Sequence, residues 1–125
     1  MILVDTSVWV DHFRKGDPKL TGLLELGAVA MHPFVVGEIA CGSLADRSTI
    51  LELLQHLPAS VVADSEEVLA FIERHGLHGR GIGYVDVHLL ASVTLTDGAK
   101  LWTRDKRLRA AADELGLTQR DAGVH

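Results

Sequence analysis

The chain has 125 residues and a formal net charge of −5, with 47% hydrophobic and 23% charged residues. That length builds one domain, residues 1–125, burying roughly two-thirds of its unfolded surface. The negative balance excludes a global basic field for nucleic acid, no apolar run approaches the roughly 18 residues of a membrane span, and the mean hydropathy of +0.20 points to a dense core with apolar surface left for a partner.

The chain opens "MILVDTSVWV", in which Ile2 to Val4 reads as a strand and a helix starts near Thr6 or Ser7. Asp5 interrupts the apolar start and no cationic stretch precedes it, so this is not a secretory signal and the expected location is the cytoplasm. In "DPKLTGLLELG", Asp17 is the N-cap of a short helix, Pro18 its first residue and Gly27 its stop. "AVAMH" reads as the next strand, Pro33 opens a helix over 33–43, and Asp46 caps another that runs to position 56. Cys41, the single cysteine, cannot form an internal disulfide and reads as a small buried thiol. "SVVAD" is a weak third strand, followed by the amphipathic "SEEVLAFIERHG".

The glycine-rich "HGLHGRGIG" lacks the Lys-Ser or Lys-Thr pair of a P-loop and reads as a mobile loop, with His75 and His78 solvated. "YVDVHLLASVTLTDG" reads as a helix stopped at Gly98, "KLWT" as a strand, "DKRLRAAADELG" as a capped helix and "LTQR" as a short closing strand, with the last residues, "GVH", frayed. Trp9 and Trp102 read as core. Strands alternating with helices predict an α/β fold with a mostly parallel sheet.

In such sheets sites form beyond the carboxyl ends of the strands. Asp5 stands at the end of the first strand, and Asp105 just past "KLWT", which Thr103 ends. Glu38 in "PFVVGEIACG" and Asp86 in "YVDVHLLAS" lie inside apolar helices, where an acid is costly to bury without a cation. Read singly, Asp5 and Asp105 are helix caps and Asp86 answers a helix dipole, whereas Glu38 falls mid-helix with no such role. Read together, carboxylates about 5 Å apart repel by roughly 3 kcal/mol per pair at an effective dielectric near 20, so four of them call for a divalent cation. An all-oxygen set favours Mg²⁺, or Mn²⁺ as substitute, and phosphodiester chemistry. The cations Arg104, Lys106, Arg107 and Arg109 around Asp105 are the expected contacts to flanking phosphates.

"ILVDTSVW", "VVGEIACG", "GIGYVDVHLLA" and "LWTRDKRL", in this order, resemble the PIN-domain ribonucleases, and most of all the VapC-type toxins of bacterial toxin–antitoxin pairs. The resemblance runs from residue 1 to about residue 110. It implies a PIN-like three-layer sandwich with a central, mostly parallel five-stranded sheet flanked by helices. It also implies a Mg²⁺-dependent endoribonuclease acting on RNA, a small cognate antitoxin and a homodimer. By this match Asp5, Glu38, Asp86 and Asp105 are the catalytic, metal-binding acids, and Thr6 or Thr103 orients a carboxylate or water. Some relatives carry a further acid two positions after the one matching Asp105, where this chain has Arg107.

Two other classes compete. A phosphoacceptor domain of receiver or phosphatase type also places acids at strand ends, but the phosphatase signature wants an acid where Ser7 stands, and a receiver wants an acid pair at the first strand. A PIN-fold binding module with a silent site is the other, and the presence of all four acids argues against it.

Overall fold

The structure, a computed structural model, describes residues 1–119. Three parallel strands make the sheet: β1 (Ile2–Val4), β2 (Val29–Ala30) and β3 (Lys100–Trp102), in the order β2-β1-β3. The register pairs Leu3 with Ala30 on one side and with Leu101 on the other. The chain therefore leaves β1 toward one neighbour and finishes on the opposite side, and this reversal of strand order puts a crevice at the carboxyl end of β1. Leu3, Val4 and Leu101 are fully buried, as expected of a sheet covered on both faces.

Seven helices surround the sheet among the described residues: α1 (Thr6–Lys15), α2 (Pro18–Glu25), α3 (Pro33–Ala40), α4 (Arg47–Gln55), α5 (Ser65–His75), α6 (Tyr84–Leu95) and α7 (Lys106–Glu114). Where the signals are local the helices start as the sequence indicates. Asp17 accepts the amides of Lys19 and Leu20 ahead of Pro18, and Asp64 and Glu67 form a reciprocal capping box at α5. In α6 every residue from Val87 to Val93 is buried, which marks it as the helix enclosed by the fold.

The expected five-stranded sheet is corrected to three strands, extended at each edge by one parallel bridge, Met31 with Ala59 and Leu101 with Thr118. "SVVAD" forms no strand: Ser60 reaches the sheet edge, its N–H donating to the Met31 carbonyl at 3.0 Å, but Val61 turns to the end of α6, its N–H donating to Thr96 Oγ1 at 3.2 Å and its carbonyl accepting the Ser92 hydroxyl. "LTQR" supplies the second bridge, and its Arg120, like the "GVH" end, lies outside the described residues.

Three local expectations are also corrected. The helix opened by Pro33 ends at Ala40, because the Arg47 guanidinium donates to the carbonyls of Ala40 and Gly42 and satisfies the groups a further turn would have used. Cys41, at that unwound end, is exposed and not buried. Asp46 precedes α4 in a left-handed conformation, φ 51°, and its side chain caps nothing.

Candidate active site

β1 delivers Asp5 to the crevice. Its backbone stays in the ladder, with Asp5 N–H donating to the Trp102 carbonyl at 2.9 Å, and the residue is only 5% exposed. Although it holds the N-cap position of α1, its carboxylate makes no cap. Instead Oδ2 accepts the Ser7 hydroxyl at 2.8 Å and the Thr103 hydroxyl at 2.7 Å. Each hydroxyl has one proton and gives it to Asp5, so the 3.4 Å approach of Ser7 Oγ to Thr103 Oγ1 is a packing contact. Both oxygens then accept backbone amides, Ser7 from Arg104 and Thr103 from Asp105, each at 3.0 Å. Two hydroxyls thus lock Asp5 and at the same time fix the chain beyond β3.

Asp105 caps α7, its Oδ1 accepting Leu108 N–H at 2.9 Å, and is exposed. Glu38, exposed on α3, accepts the Thr6 hydroxyl at 2.7 Å, which ties α3 to the start of α1. Asp86 stands in the first turn of α6, half-buried. Its pKa is pushed up to about 6, first by burial and then by Asp5, with Asp105 and Glu38 adding to the rise and the Gly83 backbone opposing it. Asp86 thus feels the negative charge of Asp5, Asp105 and Glu38 as well as its own burial.

The basic cluster divides. Arg104 turns from the crevice: its guanidinium is held by Asp11 at 2.8 Å and by Asp17, and lies 5.5 Å from the Trp102 ring centroid. The Arg104 hydrogen bond lowers the Asp11 pKa; at Asp17 burial acts upward and is outweighed by that guanidinium together with the Leu20 and Lys19 amides. Arg109 donates to the Thr103 carbonyl at 3.3 Å. Lys106 and Arg107 are exposed on the first turn of α7. Arg107 rests on Gly81, which has φ +76° and where a Cβ would come within 2.5 Å of Nη1, so this seat needs glycine. The glycine-rich loop is further tied to α7 by the ion pair of Arg80 with Glu114.

Ser7 was not among the residues singled out from sequence. The available signal was a hydroxyl two residues beyond a strand-end aspartate, where a side chain folds back on its neighbour. Among the described residues no three acidic, histidine or cysteine side chains are disposed to hold one metal ion together. The donor set nevertheless fits Mg²⁺, which is usually bound through one or two carboxylates while waters and substrate phosphates complete its shell. The mutual repulsion felt at Asp86 is what a divalent cation would relieve.

A parallel sheet flanked by helices, with Asp5 buried at the carboxyl end of its central strand, defines an α/β domain. The PIN-domain family model matches residues 2–114, and the chain belongs to that family. Over 117 residues it is 50% identical to Ribonuclease VapC32 of Mycobacterium tuberculosis, covering 94% of each chain. It is 31% identical over 119 residues to Ribonuclease VapC1 of Methanocaldococcus jannaschii, covering 93% of this chain and 84% of that protein. Among solved structures, FitAcB from Neisseria gonorrhoeae matches with a TM-score of 0.60 at 22% identity, over 90% of this chain and 94% of that one. FitAB bound to the IR36 DNA fragment matches with 0.56 at 19%, over 90% and 91%. At those identities the two structures speak for the fold alone. No helix among the described residues is long and apolar enough to cross a membrane.

Proposed function

We propose that this chain is a Mg²⁺-dependent endoribonuclease, with Mn²⁺ as a substitute ion, and the toxin of a toxin–antitoxin pair acting in the cytoplasm. The observation that carries the proposal is the buried Asp5 carboxylate at the carboxyl end of the central strand, held by the Ser7 and Thr103 hydroxyls, in a chain that the PIN-domain family model matches over residues 2–114. Identity to proteins named ribonucleases supports RNA as the substrate. In this reading Asp5, Glu38, Asp86 and Asp105 would hold the ion, directly or through its waters. When bound, the ion activates water and offsets charge on the scissile phosphate. Thr103 and Ser7 fix the Asp5 carboxylate, and Thr6 fixes Glu38, so that the donors are preorganised. Lys106 and Arg107 are the better-placed candidates for phosphate contacts, since Arg104 is engaged by two carboxylates.

For the antitoxin, support comes from a groove of about 350 Å³ between α1 and the α3–α4 connection. Val10, Phe13, Ile39 and Leu44 line it, with Glu38 among its lining residues. An amphipathic helix carrying a cation fits that apolar trough with its acidic neighbour. A homodimer face is supported by exposed Val61, Val62, Leu69 and Leu95.

Purified protein incubated with total RNA should generate new ends in Mg²⁺ or Mn²⁺ and none in EDTA. Cleavage that persists in EDTA, or full cleavage by Asp86→Asn, rejects the metal site. Expression alone should arrest growth and co-expression of the neighbouring small gene should restore it; harmless expression of soluble protein removes the toxin role.

A further inference from the structure

The chain has six Phe, Trp and Tyr residues. Trp9, Phe71 and Trp102 are buried and Phe13 is half-buried, whereas Phe34 is 37% and Tyr84 49% exposed. These two exposed rings come from different helices yet meet around one side chain. Phe34 lies 4.7 Å and Tyr84 4.6 Å, centroid to centroid, from the His88 ring. His32 stands 5.1 Å from Phe34 and 6.2 Å from His88. Both imidazoles are buried, and His32 Nδ1 accepts Phe34 N–H at 3.0 Å, which fixes the first turn of α3. The exposed rings therefore stand on a rigid base. His88 Nδ1 and His32 Nε2 have no hydrogen-bond partner among the described residues, so the patch also keeps polar capacity in its floor.

Its place in the fold is specific. Phe34 precedes Glu38 by one turn on the same face of α3, whereas Tyr84 shares its face of α6 with His88, one turn on, and Asp86 between them points to another side of that helix. We propose that Phe34 and Tyr84 form a stacking platform for an unpaired base of single-stranded RNA beside the carboxylate site, an inference that takes its substrate from the nuclease reading. Acids with a cation select the phosphate; a neutral aromatic surface next to them selects the flat face of a base. Bases in a duplex are stacked on each other and cannot reach such a surface.

The test uses the whole protein and single-stranded RNA carrying 2-aminopurine at successive positions, read by fluorescence in EDTA so that no cleavage is needed. Wild-type protein should quench the probe at one or two positions. Tyr84→Ala and Phe34→Ala should each weaken binding about 5- to 100-fold and abolish quenching, while Tyr84→Phe and Phe34→Tyr retain both. A strand with abasic residues at those positions should bind wild type and alanine variants alike. Wild-type affinity and quenching in the alanine variants overturn the platform, as does an equal loss on abasic strands. A switch from dimer to monomer in sedimentation, with RNA affinity unchanged, also overturns it and assigns the patch to a second copy of the chain. If wild type quenches but never cleaves in Mg²⁺ or Mn²⁺, the nuclease reading fails and the platform stands. If the alanine variants bind, quench and cleave like wild type, the platform fails and the nuclease stands.

Discussion

Asp5 and Asp105 occupy the same local setting, an extended N-cap residue between a strand and the helix that follows, with φ, ψ of −70°, 155° and −72°, 121°. Their side chains do opposite things. Asp5 is buried and leaves the start of α1 uncapped, forgoing about 1 kcal/mol of helix stabilisation. Asp105 is exposed and caps α7. The difference comes from the sheet: β1 is central, so Thr103 beyond the neighbouring β3 offers its hydroxyl to Asp5, and no comparable donor reaches the end of β3 among the described residues. A strand-end carboxylate thus serves the helix or the crevice according to what the adjacent strand presents.

The largest expected effect separates charge from capping. Asp5→Asn should lower RNA cleavage by more than the roughly 10 to 100-fold typical of residues that only orient ligands, without loss of stability. Asp105→Asn should also lose activity yet stay as stable as wild type, because Asn caps as well as Asp, whereas Asp105→Ala should lose about 1 kcal/mol in denaturant melts as well. Equal stability of the Asn and Ala variants would mean that the α7 cap contributes nothing.

Next in size is Thr103→Val, which deletes the hydroxyl shared by both aspartates. Activity should fall about 10 to 100-fold, and stability by about 1 to 3 kcal/mol as Asp105 N–H loses its acceptor. Thr103→Ser should restore most of both. Undiminished single-turnover cleavage by Thr103→Val would show that Asp5 needs no fixing.

A third effect is read as a slope. Asp86, raised to about 6 from 3.8, holds more protons folded than unfolded in that window, so the metal-free protein should lose stability as pH rises from about 4 to 6. His32, lowered to about 4 from 6.5 by burial and by His88, has the opposite sign, and its contribution is lost as pH falls from 6.5 to 4. Wild type in EDTA should therefore show a shallow profile. Asp86→Asn should uncover a stability that climbs with pH, measurable as Tm at successive pH values; identical profiles for wild type and variant would refute the raised Asp86.

The smallest effect concerns the divided basic cluster. Lys106→Ala and Arg107→Ala should each flatten the log-log salt dependence of single-strand RNA binding by about 0.7. Arg104→Ala should leave that slope unchanged and lower Tm instead, because its partners are Asp11 and Asp17. A slope change in Arg104→Ala alone would reverse the division.

The sequence by itself determined the features whose cause lies within a few residues. The Asp17 cap with Pro18 closes over one helical turn, so its residue types suffice to place it, whereas the Asp64–Glu67 box, equally local, falls on a segment that reads as the end of a strand. Glu38 and Asp86 stand out in the sequence because a carboxylate inside an apolar helix is costly to bury, and Asp5 and Asp105 because they follow strands. Tertiary structure completed the choice of which carboxylate caps and which faces the crevice, since Asp5 adds to the local Ser7 hydroxyl a second donor, Thr103, 98 residues away. It likewise decided that Arg104 serves Asp11 and Asp17, 93 and 87 residues away, and that "SVVAD" leaves the sheet after Ser60, with Val61 bonded to Ser92 and Thr96. Cys41, which reads as buried from its apolar neighbours, is exposed at the C-cap of α3. Hydrogen bonds and ion pairs of this kind depend on which strands and helices become neighbours, and that is set by the order β2-β1-β3 and by no local preference along the chain.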